Sequence, residues 1–539
     1  MTLLNCDLSF DPADPYFLLP GGGGASWAVQ VFTTENGYGL DAIRSPALLS
    51  GTDMVGGVFG YARLGQQVTI DAGSAGVSVE RDGDSWTFHI AAEHREKIKA
   101  IKLILRGLPE EQLAHGWWSP TSPRDTTTAP PLQWNYPGPE WATRWAAAGS
   151  IAVSIASDQV SGAVLHVGKP SYAPGTEVEI VHAVPASEWS TQVTVPPIRV
   201  ALGQSEHDVR QDLDRHLASV REGFGIPTWA GRADVPSWGR TLDLVVTLHG
   251  QHWTGHTFHT FDQMGGILQK VAADFDARRV LVYMPGWEGR YYYDYPHYRP
   301  SPELGGDAGF ARLVEQAHQS GFRLMPMFGA NGANVSKYPD WESSAIRNPS
   351  NRYPVMLNSP DWDGDRHPEG DQVFLNPGEP RYQAHLIDAV SHIVQKFGVD
   401  AAFFDTASFW FDDPRHPLYD GYRAITAELR SRHPELLLVA EGWWDAMTAL
   451  FPMSQQWLGV ERDIAAPELL TYSARTTSHL AEGTPGSGST GVHEEGFRDF
   501  RAPREITGHL PVVSFAGGPG DDQMAEIRRL AAGAVRRSA

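Results

Sequence analysis

The sequence predicts a multidomain β plus α/β protein: an N-terminal antiparallel β-sandwich followed by a (β/α)8 barrel. Three observations carry this. Short alternating runs separated by Gly, Pro, Asp and Ser fill the first 200 residues or so. From about residue 242 short continuous apolar runs alternate with helical patterns, the mark of parallel strands covered by helices. And no GxGxxG follows any of these strands, which counts against a dinucleotide fold.

The boundaries follow in order: a sandwich over 1–204, a connecting helix and linker over 205–240, and the barrel over 241–539. In the sandwich, "WAVQVFTT" (27–34), "GVSVERDGDSWTFHIAAE" (76–93), "IKAIKLILRGL" (98–108), "IAVSIAS" (151–157) and "TEVEIVHAVPA" (176–186) read as strands. "RDGD" (81–84) reads as a hairpin turn, because Asp-Gly accepts positive φ. "SEHDVRQDLDRHLASVREGF" (205–224) is a helix opened by a capping Ser205. In the barrel, strands are expected in "LDLVVTLHG" (242–250), "RRVLVYMPGW" (278–287), "FRLMPMFGANG" (322–332), "VDAAFFD" (399–405) and "ELLLVAE" (435–441). "QQWLGVE" (455–461) is the candidate sixth and "HLPVVSFAGG" (509–518) the last; no seventh is placed.

Bulk properties narrow the function classes. The 539 residues have 41 % hydrophobic and 20 % charged content, ordinary for a globular protein. With 43 basic and 64 acidic residues the formal net charge is −21, which disfavours nucleic acid or an anionic membrane as partner. Cys6 is the only cysteine, so neither an intrachain disulfide nor a thiolate metal cluster is expected. The N-terminus lacks the basic and apolar pattern of a secretory signal, and a cytoplasmic protein is expected. Oligomeric state is not legible.

Aromatic residues are plentiful, with 18 Trp, 17 Tyr and 22 Phe, and they gather in loops such as "GWEGRYYYDYPHYRP" (286–300). Flat rings beside carboxylates and amides suit sugars, whose C–H faces stack and whose hydroxyls need polar partners. An oligosaccharide or glycoside is the expected ligand.

The chemistry is concentrated at strand ends, which converge on one mouth in such a barrel. His249, His252 and Trp253 follow the first strand; Trp287, Glu288 and Arg290 the second; Asn331 and Asn334 the third. Asp405 ends the fourth and Glu441 the fifth, with Trp443 beyond it. A buried unpaired carboxylate is expensive, and two on successive strands read as a pair with work to do. Neighbouring strands place the carboxyls about 5–6 Å apart, as in a retaining glycosidase. Close acids in an apolar surround also split their pKa values, leaving one ionised to attack and one protonated to donate.

Asp at the end of strand four and Glu at the end of strand five resembles the α-amylase superfamily and its distant relatives, the endo-α-N-acetylgalactosaminidases and similar sandwich-plus-barrel enzymes. The resemblance covers about 240–445 and implies that Asp405 is the nucleophile and Glu441 the general acid/base on an α-linked sugar, in hydrolysis or in sugar transfer. His249, His252, Trp253, Trp287, Glu288, Arg290, Asn331, Asn334 and Trp443 would hold the sugar. The chain departs from amylases in carrying Phe403 where they have an Arg, two residues before the nucleophile.

Two other readings stand beside this one. A degenerate barrel would bind carbohydrate without cleaving it. A metal-dependent hydrolase would use His249 and His252 in "HGQHWTGHTFH" (249–259) as zinc ligands. No cofactor is expected otherwise. "DWDGDRHPEGD" (361–371) starts like a calcium loop but has Gln372 at the twelfth position, so a structural calcium is a minor alternative.

Overall fold

A computed structural model describes residues 2–7, 17–19, 21–34, 73–108, 116–117, 123–124, 132–136, 144–148, 151–155, 157–168, 175–202, 205–252, 255–356, 371–455, 470–477, 508–515 and 520–538. Two compact units emerge: residues 1–226 with 444–446, and residues 227–443 with 447–539.

The first unit is built on one antiparallel sheet system of 14 strands. Its spine is Ser85–Leu108, where the sequence reading expects two separate strands and a single 24-residue strand runs instead. The first part of this strand pairs with Gly73–Asp82 and Ile198–Ala201, and the later part with Ser26–Thr33 and Thr176–Ala183. Side chains from the two parts meet face to face. Trp27, registered on Leu105, puts its ring 5.7 Å from that of Phe88, edge to face. That contact is the middle of an apolar core with Phe32, Trp86, Ile101, Leu103 and Ile180, all buried. The hairpin turn at Gly83 is present, with φ of 59° at the glycine.

Helix Glu206–Phe224 groups with this unit. Its N-terminus is closed by a capping box between Ser205 and Asp208, and its C-terminus by Gly225 in the left-handed conformation.

The second unit is a closed parallel barrel. In order its strands are Leu244–Leu248, Val280–Met284, Arg323–Gly329, Ala401–Asp405, Leu437–Glu441, Met453–Gln455, Ala474–Thr476 and His509–Phe515. The last is divided at Pro511, which has no N–H to give to a ladder. Its first half pairs with strand seven and its second half with strand one, so the ring closes. Strand six begins two residues earlier than the sequence reading places it, and the rest of "QQWLGVE" lies outside the described residues. Strand seven is only three residues long, too short to carry a periodicity of its own.

Strands one, two, four and five are buried along their whole length, as parallel strands sandwiched between a filled interior and outer helices must be. Phe261–Asp274, Gly306–Ser320, Pro380–Phe397, Leu418–Arg432 and Asp521–Ser538 are the covering helices. Thr260 and Gln263 form a capping box at the first, and Glu379 caps the third with Pro380 at its first turn. No helix among the described residues is long and apolar enough to cross a membrane.

Candidate active site

Asp405 and Glu441 are the last residues of strands four and five, which pair in parallel register from Ala401 and Leu437 onward. Both side chains are buried, at 4 % and 3 % exposure. They hydrogen-bond each other directly. Two carboxyls can bond only through a shared proton, and this contact favours the charged form of Asp405.

Burial dominates the electrostatics of Asp405 and raises its pKa from 3.8 to about 6. Hydrogen bonds from Glu441, Tyr295, the Thr406 amide and Tyr292, in falling order, pull the other way. The Tyr295 hydroxyl donates to Asp405 Oδ2 at 3.4 Å. Its ring lies flat against the end of strand three, and a glycine there is required. A Cβ on Gly329 would sit 2.3 Å from Tyr295 Cε2.

Thr406 follows Asp405 with φ of 61°, in the left-handed region that a β-branched residue rarely enters. Such a conformation costs on the order of 1–3 kcal/mol and persists only when its surroundings hold it. Its amide donates to Glu441 Oε2 at 2.8 Å, and its hydroxyl lies 2.5 Å from Asn331 Oδ1 and 2.6 Å from the Asp405 carbonyl oxygen.

The floor beneath the acids is aromatic. Tyr283 and Phe403 have ring centroids 4.4 Å apart, and the charges of Asp405 and Glu441 add to burial in raising the Tyr283 phenol. Phe403 thus fills interior space where an amylase would carry an Arg.

The other expected residues divide. Glu288 is buried, and among the described residues neither carboxyl oxygen has a hydrogen-bond partner. Burial raises its pKa well above the ordinary range, with the charges of Asp294 and Asp405 adding to it. Asn331 accepts from Thr406 while its Nδ2 has no partner among the described residues. Trp443 is buried with the Arg475 guanidinium 5.3 Å over its ring. His249 and His252 pack around Phe258, with ring centroids at 5.5 and 6.0 Å. The loops that carry the His and Glu288 are laced together by Gly250 N–H to Pro285 O and Gln251 N–H to Gly286 O, and a Cβ on Gly250 would meet the Gly286 carbonyl at 2.2 Å.

Three more of the expected residues have partners of their own in the fold. Trp287 is wholly buried, gives its indole N–H to Met327 O at 2.7 Å and stacks on Phe310. It is a core residue, because the chain turns its ring outward from the barrel toward the covering helix. Asn334 spends its side-chain oxygen on the Ser336 amide and hydroxyl at 2.9 and 2.7 Å, closing a local turn. Arg290 is partly exposed and lies 4.2 Å over the Tyr293 ring. Trp253 and the calcium-like run 361–370 lie outside the described residues. Among the described residues no three His, Cys, Asp or Glu side chains gather as a metal site, so His249 and His252 have no third ligand there.

Tyr292, Tyr295, Thr406 and Tyr283 are the site residues that sequence reading missed. The tyrosine run at 291–295 is visible as a stacking loop, but nothing in its spacing says that two of its hydroxyls reach Asp405.

No protein-family model and no curated protein matches the chain by sequence. Solved structures do match. The α-N-acetylgalactosaminidase NagBb of Bifidobacterium bifidum in complex with GalNAc is 13 % identical, over 99 % of this chain and 85 % of its own, with a TM-score of 0.62. The same enzyme with Gal-NHAc-DNJ aligns over 87 % and 84 % at 13 % identity and a TM-score of 0.58. An α-galactosidase of Geobacillus stearothermophilus, AgaA, aligns over 86 % and 67 % at 10 % identity, with a TM-score of only 0.47. The likeness is one of fold. It supports the sandwich-plus-barrel part of the resemblance and adds nothing for its amylase branch or for endo-acting enzymes.

Proposed function

We propose that this chain is a retaining glycoside hydrolase acting on an α-linked sugar, with α-N-acetylgalactosaminides and α-galactosides the first candidates. The observation that carries the reading is the close Asp405–Glu441 pair, buried at the ends of adjacent strands. The fold shared with NagBb supports the choice of sugar.

In this mechanism Asp405, ionised and steadied by Tyr295 and Tyr292, attacks the anomeric carbon. Glu441 passes its proton to the departing oxygen, leaving a covalent glycosyl-Asp405. Ionised Glu441 then takes a proton from water, and the resulting hydroxide displaces Asp405 with net retention. A sugar hydroxyl in place of water gives transfer. Glu288 and the Asn331 amide, both with unused hydrogen-bonding capacity, are the groups to hold sugar hydroxyls.

The direct contact of the carboxyls favours one rival reading, a binding protein whose pair is merely structural. The experiment is a hydrolysis screen of wild type, Asp405→Asn and Glu441→Gln on paired α- and β-linked 4-nitrophenyl glycosides, with product anomers followed by NMR. Retained α-product and a loss of about three orders of magnitude or more in Asp405→Asn are expected. An active Asp405→Asn protein, or an inverted product, sinks the assignment.

A further inference from the structure

Thr406 stands outside every role assigned above, yet it bonds to both acids' strands. The peptide between Asp405 and Thr406 is planar, so its carbonyl and its N–H point to opposite sides. Ala330 N–H holds the carbonyl from strand three at 2.9 Å, and the N–H therefore faces strand five, where Glu441 Oε2 receives it at 2.8 Å. Residue 406 has an easy escape from its left-handed φ. A flip of that one peptide takes φ negative without moving the chain, and it turns the N–H away from Glu441. The Thr406 hydroxyl, 2.5 Å from Asn331 Oδ1, opposes the flip by holding the residue where it is.

We propose that Thr406 is a positioning residue that locks the 405–406 peptide, so that its N–H occupies Glu441 Oε2 and the transferable proton resides on Oε1. An oxygen that accepts a short N–H bond cannot also point a proton along the same line. Glu441 therefore presents one basic and one acidic oxygen in a fixed order. This inference rests on the reading of Glu441 as the acid/base.

Several titratable groups stand around the acid pair. Asp405 shares its proton, Tyr283 lies below, Tyr292 and Tyr295 reach Asp405 from the loop after strand two, and the Arg475 cation lies over Trp443.

The test is a titration of the Glu441 carboxyl in the free protein by carbon-13 NMR of side-chain-labelled Glu, assigned by its disappearance in Glu441→Gln. Thr406→Val keeps the shape and the β-branch but drops the hydroxyl; Thr406→Ala drops both; Thr406→Ser restores the hydroxyl. Loss of an amide donor to the charged form raises the Glu441 pKa by about one unit or more in Val and Ala, while Ser titrates like wild type. In 4-nitrophenyl α-N-acetylgalactosaminide hydrolysis the basic limb of kcat/KM moves up by the same amount. Val and Ala titrating like wild type overturns the proposal, as does Ser shifting as far as Val. Should Val not fold, Ala and Ser alone decide. The titration uses no sugar, so it can fail while the hydrolysis screen succeeds, and the reverse.

Discussion

Removing the charge of Asp405 should stabilise the protein while abolishing its activity. The folded pKa of about 6 stands above the ordinary 3.8, a difference of about 2 units. At 1.36 kcal/mol per unit this is about 3 kcal/mol, set mainly by burial of the carboxyl. The sign follows from the direction. A group whose folded pKa is raised contributes its stability below the unfolded value and loses it as pH rises through the folded value. At pH 8 the wild-type fold therefore carries about 3 kcal/mol of penalty that it does not carry below pH 4. Asp405→Asn cannot ionise, and its amide oxygen still accepts from Tyr295 and Glu441. The assay is calorimetric melting of wild type and variant from pH 4 to pH 8, following the barrel transition. The variant should melt several degrees higher at pH 8, with the gap closing toward pH 4. A variant that melts at or below wild type at pH 8, or a gap that does not depend on pH, would refute the reasoning.

The Gly329→Ala substitution drives a Cβ into the Tyr295 ring, which must retreat by about 1 Å and so loses its 3.4 Å bond to Asp405; an overpacking cost of about 1–3 kcal/mol in the melt and a rise in the acid limb of kcat/KM are expected. Tyr295→Phe should reproduce the pH shift alone, since a lost donor leaves Asp405 harder to ionise. Trp287→Ala should lower stability by about 3–5 kcal/mol in chemical denaturation, the cost of a buried aromatic, whereas a sugar-stacking Trp would change KM with little change in stability. In the first unit Lys102 Nζ pairs with Glu179 Oε1 at 2.7 Å with both side chains buried. Lys102→Met should cost about 3–5 kcal/mol by stranding Glu179, and a second change, Glu179→Leu, should recover most of it.

Much of the barrel was legible because its strands are apolar on both faces and its helices carry explicit caps. In the structure Thr260 and Glu379 cap two of these helices, with Pro380 in the first turn of the second. The acid pair stood out for the same reason: two carboxylates ending unbroken apolar runs on successive strands are harder to explain as caps or ion pairs than one would be. What failed to show were features set by tertiary geometry. The 24-residue strand is hidden because "EHREK" in its middle reads as a loop, although its backbone goes on pairing. Trp287 misled because an aromatic at a strand end has two faces to choose from, and only the position of Phe310 decides between them. Tyr295 and Thr406 were invisible because one depends on the absence of a side chain at Gly329 and the other on a single φ angle.

The contact between the two acids need not oppose a retaining mechanism, whose carboxyls stand about 5–5.5 Å apart. Asp405 is tethered on one side by the Tyr295 hydroxyl, and Glu441 on the other by the Thr406 amide. Each of these tethers engages a single carboxyl oxygen. On the proposed mechanism a glycosidic oxygen and anomeric carbon displace the bond between the acids. Replacing it parts the carboxyls by small rotations of the side chains, with Glu441 the more adaptable by one methylene. On the proposed mechanism Glu441 then presents the pair's proton to the leaving oxygen, and Asp405, relieved of the contact, faces the anomeric carbon as a less stabilised and more nucleophilic anion. On that reading the contact between the acids is a resting arrangement that the substrate opens.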